Sequence, residues 1–96
     1  MSEPDFLVHN EGDHVAVAVR DVEAGPALAV YMDSDRELAI EPFEAIPLGH
    51  KVALTSIDAD ADVIEYGVRV GVTKEAIRAG QLVHVHNVRS ARWQTR

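Results

Sequence analysis

The 96-residue sequence has no cysteine, which excludes disulfide scaffolds, thiolate nucleophiles and Cys-ligated zinc or iron–sulfur centres. Any metal it touches must take imidazole, carboxylate or water ligands. Aromatic residues make up only 5% of the sequence. Basic residues are scarce too: nine Lys and Arg against sixteen Asp and Glu give a formal charge of −7. That argues against a nucleic-acid backbone as partner, because such binding runs on Lys and Arg neutralising phosphates. No apolar run approaches the roughly 20 residues that span a bilayer, and the acidic start Met1-Ser2-Glu3-Pro4-Asp5 is unlike the basic opening of a signal peptide. A cytoplasmic protein with no membrane partner is expected. There is no Gly-rich phosphate loop, and Ser56 and Ser90 lack a triad context. The length suits one domain, with a core over about residues 6–88 and a tail over 89–96, and leaves too few residues for a complete enzyme.

What is present is a period-2 pattern: short β-branched or alternating stretches between turn signals, the mark of strands. The expected strands are Phe6–His9, His14–Val19, Ala27–Tyr31, Glu37–Ile40, Lys51–Leu54, Asp62–Tyr66 and Leu82–His86. Turns fall at 10–13, 33–35, 47–49 and 79–80, where Gly, Asn, Asp and Ser gather. One short helix is expected over Thr73–Arg78, with Thr73 as its cap and Gly80 closing it. The fold class is therefore all-β with one short helix.

The sequence also repeats itself. Segments 21–31, 56–66 and 76–86 align without gaps: an aliphatic (Val22, Ile57, Ile77), an alanine (Ala24, Ala59, Ala79), then Gly25, Asp60 or Gly80, then an aliphatic (Leu28, Val63, Val83) and Tyr31, Tyr66 or His86. Physically this reads as an apolar anchor, a turn that wants a positive φ, and a departing strand. Spacings this unequal do not make a solenoid. A compact β domain that reuses one device fits them.

Five histidines carry most of the chemical interest. In Val83-His84-Val85-His86-Asn87 a strand would place His84 and His86 on one face, about 7 Å apart at Cα, able to share a metal ion whose other ligands lie elsewhere. The same spacing also suits two hydrogen-bonded histidines on a polar face. Gly49-His50-Lys51 offers a titratable imidazole beside an ammonium at a strand start, suited to an anionic substrate or to a plain exposed turn. His9 and His14 flank the 10–13 turn and read as hairpin polar residues. Asp58, Asp60 and Asp62 lack the Gly and Glu of a calcium loop and read as a solvated acidic turn. Trp93 beside Arg92 suits an interface anchor or a tail folded onto its own domain.

Gly49-His50-Lys51-Val-Ala-Leu, Val63-Ile-Glu-Tyr-Gly67-Val-Arg-Val-Gly71 and Gly80-Gln-Leu-Val-His84-Val-His86-Asn87 together resemble the SAF-type β-clip module of the altronate/galactarate dehydratase family, over roughly residues 6–93. In that family the module is either a domain of a sugar-acid dehydratase or a separate small subunit, and a sequence that ends just past the module points to the second form. The resemblance implies a two-component lyase that expels a β-substituent from a small anionic 2-hydroxy acid to give a 2-keto acid. A large catalytic subunit would hold most of the site and a divalent metal, iron(II) in expectation, within a hetero-oligomer. It further implies proton transfer or substrate contact for His50, carboxylate or sulfonate binding for Lys51, metal contact for His84 and His86, substrate contact for Asn87, and a partner interface at Arg92 and Trp93. Two other classes fit a protein of this size, a stand-alone ligand-binding module and a self-associating structural protein.

Overall fold

The computed structural model describes residues 3–84 and 87–90. Among these are nine strands: β1 (Phe6–Val8), β2 (Val15–Ala18), β3 (Ala27–Tyr31), β4 (Glu37–Ile40), β5 (Lys51–Ala53), β6 (Asp62–Glu65), β7 (Val68–Thr73), β8 (Leu82–Val83) and β9 (Val88–Ser90). Six form one sheet in the order β4-β3-β1-β2-β5-β8, and three form a second in the order β6-β7-β9. Every pairing is antiparallel except β1 with β3. None of the described residues forms a helix long and apolar enough to cross a membrane.

The uninterrupted apolar run Val15-Ala-Val-Ala18 has a direct cause: β2 and β5 are buried on both faces, the environment in which strands lose their polar alternation. Ala16 and its register partner Val52 face a core containing Phe6, Val8, Ala29, Tyr31 and Ile46. One residue away, Val15 and its partner Ala53 face a second core with Ile57, Val63, Ile77 and Val83. The period-2 geometry of the strand thus serves two cores from one sheet. At the far edge β4 is half-exposed, carrying Glu37 outward.

The repeated device is present, with one copy more than the sequence alignment gives. Val22, Ile57 and Ile77 are buried anchors, and Gly25, Asp60 and Gly80 have positive φ. Ile46-Pro-Leu-Gly49 is the fourth copy, with Ile46 fully buried and Gly49 at φ 83°; Leu48 in place of the alanine hides it from a sequence comparison. The anchors pair by reciprocal backbone bonds, Val22 with Ile46 (2.9 and 2.8 Å) and Ile57 with Ile77 (2.8 Å each way). Each left-handed residue then donates its N–H to another element. Gly49 donates to Ala18 O, Asp60 to Thr73 O, Gly80 to Ala53 O and Gly25 to Pro42 O. In the first three, the clamped residue returns its own N–H to the residue after the turn: Ala18 to His50 O, Thr73 to Ala61 O, Ala53 to Gln81 O. Pro42 has no N–H to return.

The expected helix over Thr73–Arg78 does not form. Thr73 ends β7 instead, fully buried, and its hydroxyl receives the Ala61 N–H at 2.9 Å while donating to Asp58 O at 2.5 Å. Ile77 gives its N–H and carbonyl to Ile57, which removes the i to i+4 bonds a helix needs, and five or six residues nucleate a helix poorly on their own. The strand expected over Leu82–His86 stops at Val83, because His84 O accepts from both Asn87 N and Val88 N. Strands β7 and β9 are additions to the sequence expectation.

Gly80 combines φ +90° with a site where a Cβ would lie 2.6 Å from Glu41 O, whereas Gly49 has φ +83° and open space around it. Gly49→Ala should therefore cost about 1–2 kcal/mol, from the left-handed backbone alone, and Gly80→Ala distinctly more because backbone must move. Urea denaturation of the two variants checks the order.

Candidate functional site

Three of the four turns launch the strands that form one cleft. β5 follows Gly49, β6 follows Asp60 and β8 follows Gly80. Between them lies a cleft of about 320 Å³, lined by Gly49, His50, Lys51, Val63, Glu65, Val70, Val83, His84 and Val88. Its floor is the open end of the second core, since Val63 and Val83 belong to that core and Val70 and Val88 pack against it. Its polar rim comes from the two motifs singled out in the sequence.

The register explains why these motifs meet. Lys51 pairs with Val83 on the antiparallel β5–β8 ladder, so the next rung sets His50 opposite His84. Their rings stack with centroids 5.5 Å apart and planes 12° apart. His50 Nδ1 lies 3.4 Å from Leu48 O; in the tautomer protonated there, Nε2 is left as the nitrogen with a free lone pair. Lys51 shares its face of β5 with Ala53, so its stem runs along the second core while the ammonium reaches the rim.

Glu65 stands within the Val63–Gly71 motif, yet the sequence assigns it no role at the site. In Asp62-Val-Ile-Glu65, Val63 points into the core, and a residue two positions on must share that face. A carboxylate on a core-facing position is the signal that could have found it. The Glu65 side chain is 3% exposed, with Oε1 3.8 Å from Lys51 Nζ and Oε2 without a hydrogen-bond partner among the described residues. Burial pushes its pKa above the ordinary carboxylate range, and Lys51 and His9 draw it back only in part.

Asn87 is fully buried, and its amide serves the backbone. Oδ1 accepts from His84 N at 2.9 Å and Nδ2 donates to Leu82 O at 2.8 Å, while its backbone carbonyl receives Lys74 N–H. It fixes the turn that presents His84 and ties β8 to the segment after β7. His86, Arg92 and Trp93 lie outside the described residues. Below the cleft, Asp13 is buried and accepts N–H groups from Tyr66 and Gly67 at 2.9 and 3.0 Å. Those two residues, at φ 59° and 74°, form the β6–β7 hairpin tip, and the Asp13 carboxylate stabilises an aromatic residue in a left-handed conformation. His9 stacks on Tyr66 at 3.9 Å, and His14 Nδ1 accepts Ile64 N–H, so both serve the hairpin.

The described residues do not make a metal site of their own. No three His, Asp or Glu side chains among them converge as ligands, and the Lys51 ammonium occupies the cleft where a cation would sit beside Glu65. The Lys51 ammonium, the His50 and His84 imidazoles and apolar walls line the cleft, a set that fits an anion through the ammonium and through an imidazole once it carries its second proton.

Two outcomes follow. Asn87→Ala removes two side-chain bonds and leaves His84 N and Leu82 O without them, a loss of about 2–6 kcal/mol at the usual 1–3 per orphaned group, read by thermal or urea denaturation. Glu65→Gln should grow more stable relative to wild type as pH rises. Because the folded protein holds the Glu65 proton more tightly than the unfolded state does, stability falls as pH climbs from the ordinary carboxylate value through the raised one. The difference in Tm between the two proteins, measured from pH 4 to pH 8, should widen upward in the variant's favour.

A family model for the altronate/galactarate dehydratase SAF domain matches residues 4–91. The protein is 47% identical over 91 residues to the (2R)-sulfolactate sulfo-lyase subunit alpha of Chromohalobacter salexigens, an alignment spanning 93% of this sequence and 97% of that relative. The corresponding subunit of Paracoccus pantotrophus is 33% identical over 66 residues, 69% of this sequence and 98% of the relative. Altronate dehydratase of Bacillus subtilis is 33% identical over 85 residues, which are 88% of this sequence and 16% of that much longer enzyme. A β fold carrying the Gly-His-Lys turn against His84, matched over most of its length, belongs to the SAF-domain family of the altronate and galactarate dehydratases.

Proposed function

We propose that this protein is the small subunit of a two-component lyase that converts sulfolactate to pyruvate and sulfite. The observation that carries the reading is the cleft, where the His50–Lys51 turn and His84 converge around an ammonium suited to an anionic substrate. The near end-to-end match with a sulfo-lyase alpha subunit supports the separate-subunit form. Elimination removes the α-proton, and the electrons of that C–H bond form the enol double bond while the β C–S bond breaks, its pair leaving with sulfite. The enol then tautomerises to the 2-keto acid. In this scheme Lys51 pairs with the substrate's carboxylate or sulfonate, His50 holds or delivers a proton through Nε2, and Asn87 acts by holding the His84 turn. A cytoplasmic hetero-oligomer with a large catalytic subunit completes the proposal. A divalent metal, iron(II) in expectation, would be bound by that subunit, with His84 and His86 at its margin.

A second reading is favoured by the altronate dehydratase match: the same cleft would serve loss of water from a sugar acid, since both eliminations need the same charge at the carboxylate end. Co-expression with the large lyase subunit decides between them by product, sulfite with pyruvate or a 2-keto-3-deoxy sugar acid. In the reconstituted complex His50→Ala should lower kcat by about 10²–10⁴-fold, the usual worth of a proton-transfer group, and Lys51→Ala should mainly raise KM. Unchanged turnover in His50→Ala would remove this subunit from the chemistry.

A further inference from the structure

A carboxylate that merely braced Lys51 would make a short pair with both oxygens satisfied, because buried polar atoms are almost always hydrogen-bonded. Glu65 does neither: its nearer oxygen is 3.8 Å from Nζ, and its other oxygen is buried without a partner among the described residues. Lys51, by contrast, keeps 39% of its side chain exposed toward the cleft. The ammonium is therefore shared between a buried anion behind it and whatever anion enters in front. We propose that Glu65 is a proton-linked counter-ion: when an anionic group of the substrate takes Lys51, the carboxylate left behind takes up one proton from solvent. The inference rests on Lys51 as the anion-binding residue of the reading above.

The groups around Glu65 set the direction. Burial and Asp13, from the turn before β2, oppose its charged form; Lys51 from β5 and His9, just after β1, favour it. His50 and His84 stand across the same cleft. Drawing Lys51 onto an incoming anion weakens the strongest charge that supports the carboxylate and adds a like charge nearby, so the balance shifts toward the neutral acid. Linkage makes the effect reciprocal: anion binding raises the Glu65 midpoint, and protonating Glu65 tightens anion binding by the same factor. The pair thus selects for a substrate that arrives with its own negative charge and rejects a neutral sugar, which offers Lys51 nothing in exchange for Glu65.

The test uses the full-length protein and ethane-1,2-disulfonate, which stays dianionic across the range. The Glu65 carboxyl is followed by ¹³C NMR against pH, with and without saturating disulfonate at matched ionic strength. The midpoint should rise by at least about 0.7 of a pH step, equivalent to fivefold tighter binding to the protonated protein, the lower end of common coupling factors. Glu65→Gln should lose the tightening of disulfonate binding that follows the Glu65 midpoint in wild type, and Lys51→Ala should abolish the midpoint shift. A midpoint indifferent to disulfonate, or a Glu65→Gln variant that keeps the wild-type pH dependence of binding, would overturn the proposal. Sulfite release by the reconstituted complex without this coupling would overturn the counter-ion role and leave the lyase reading intact, whereas coupling without turnover would support the counter-ion role and remove the lyase reading.

Discussion

The structure depends on a backbone exchange made at four turns. An aliphatic anchor is buried, its N–H and carbonyl are traded with a second anchor, and three residues later the backbone passes through a positive φ into the next strand. Few side-chain atoms take part, so the device tolerates Val22, Ile46, Ile57 and Ile77 as anchors and Asp60 as well as glycine at the turn. Its demands are strict where the backbones crowd. Gly80 lies against the backbone at Glu41, and there the absence of a side chain is a steric requirement as well as a conformational one.

The cleft is a consequence of that exchange. Turns ending in Gly49, Asp60 and Gly80 direct β5, β6 and β8 toward one another, and the second core closes beneath them. The polar side chains need only sit at the first rungs. His50 and Lys51 leave the Gly49 turn, His84 follows β8, and Glu65 stands two residues beyond Val63 on the core-facing side of β6. Fold and site are thus linked through strand register, since a one-residue slip of β8 would turn His84 away and bring its neighbour to the rim.

Much of this is readable in the residues. The bounds of Ala27–Tyr31 and Glu37–Ile40 follow from alternation between clear turn signals, and the anchors and left-handed turns follow from the internal repeat. The failures have physical reasons. Thr73-Lys-Glu-Ala-Ile has good helix propensity, but Ile77 gains more from the bridge to Ile57 than two turns of helix could supply. In β7, Gly71 and Arg69 interrupt the apolar pattern because the strand is half-exposed at its start and buried only toward Thr73. The full burial of Asn87 is a placement that sequence chemistry alone does not give. Glu65 hides as one more acid in an acidic protein, although its parity with Val63 marks it as core-facing.

In the proposed reading the cleft binds an anion through Lys51, whose ammonium also faces the buried Glu65 carboxylate, on a module whose relatives are named as sulfo-lyase subunits and altronate dehydratases. The most direct measurement is a crystal structure of this protein with its large lyase subunit and a sulfonate-bearing substrate analogue. The account predicts the analogue's anionic group within salt-bridge distance of Lys51 Nζ, with the His50 ring against it and Glu65 behind. An analogue seated wholly within the large subunit, with Lys51 still paired to Glu65, would contradict it.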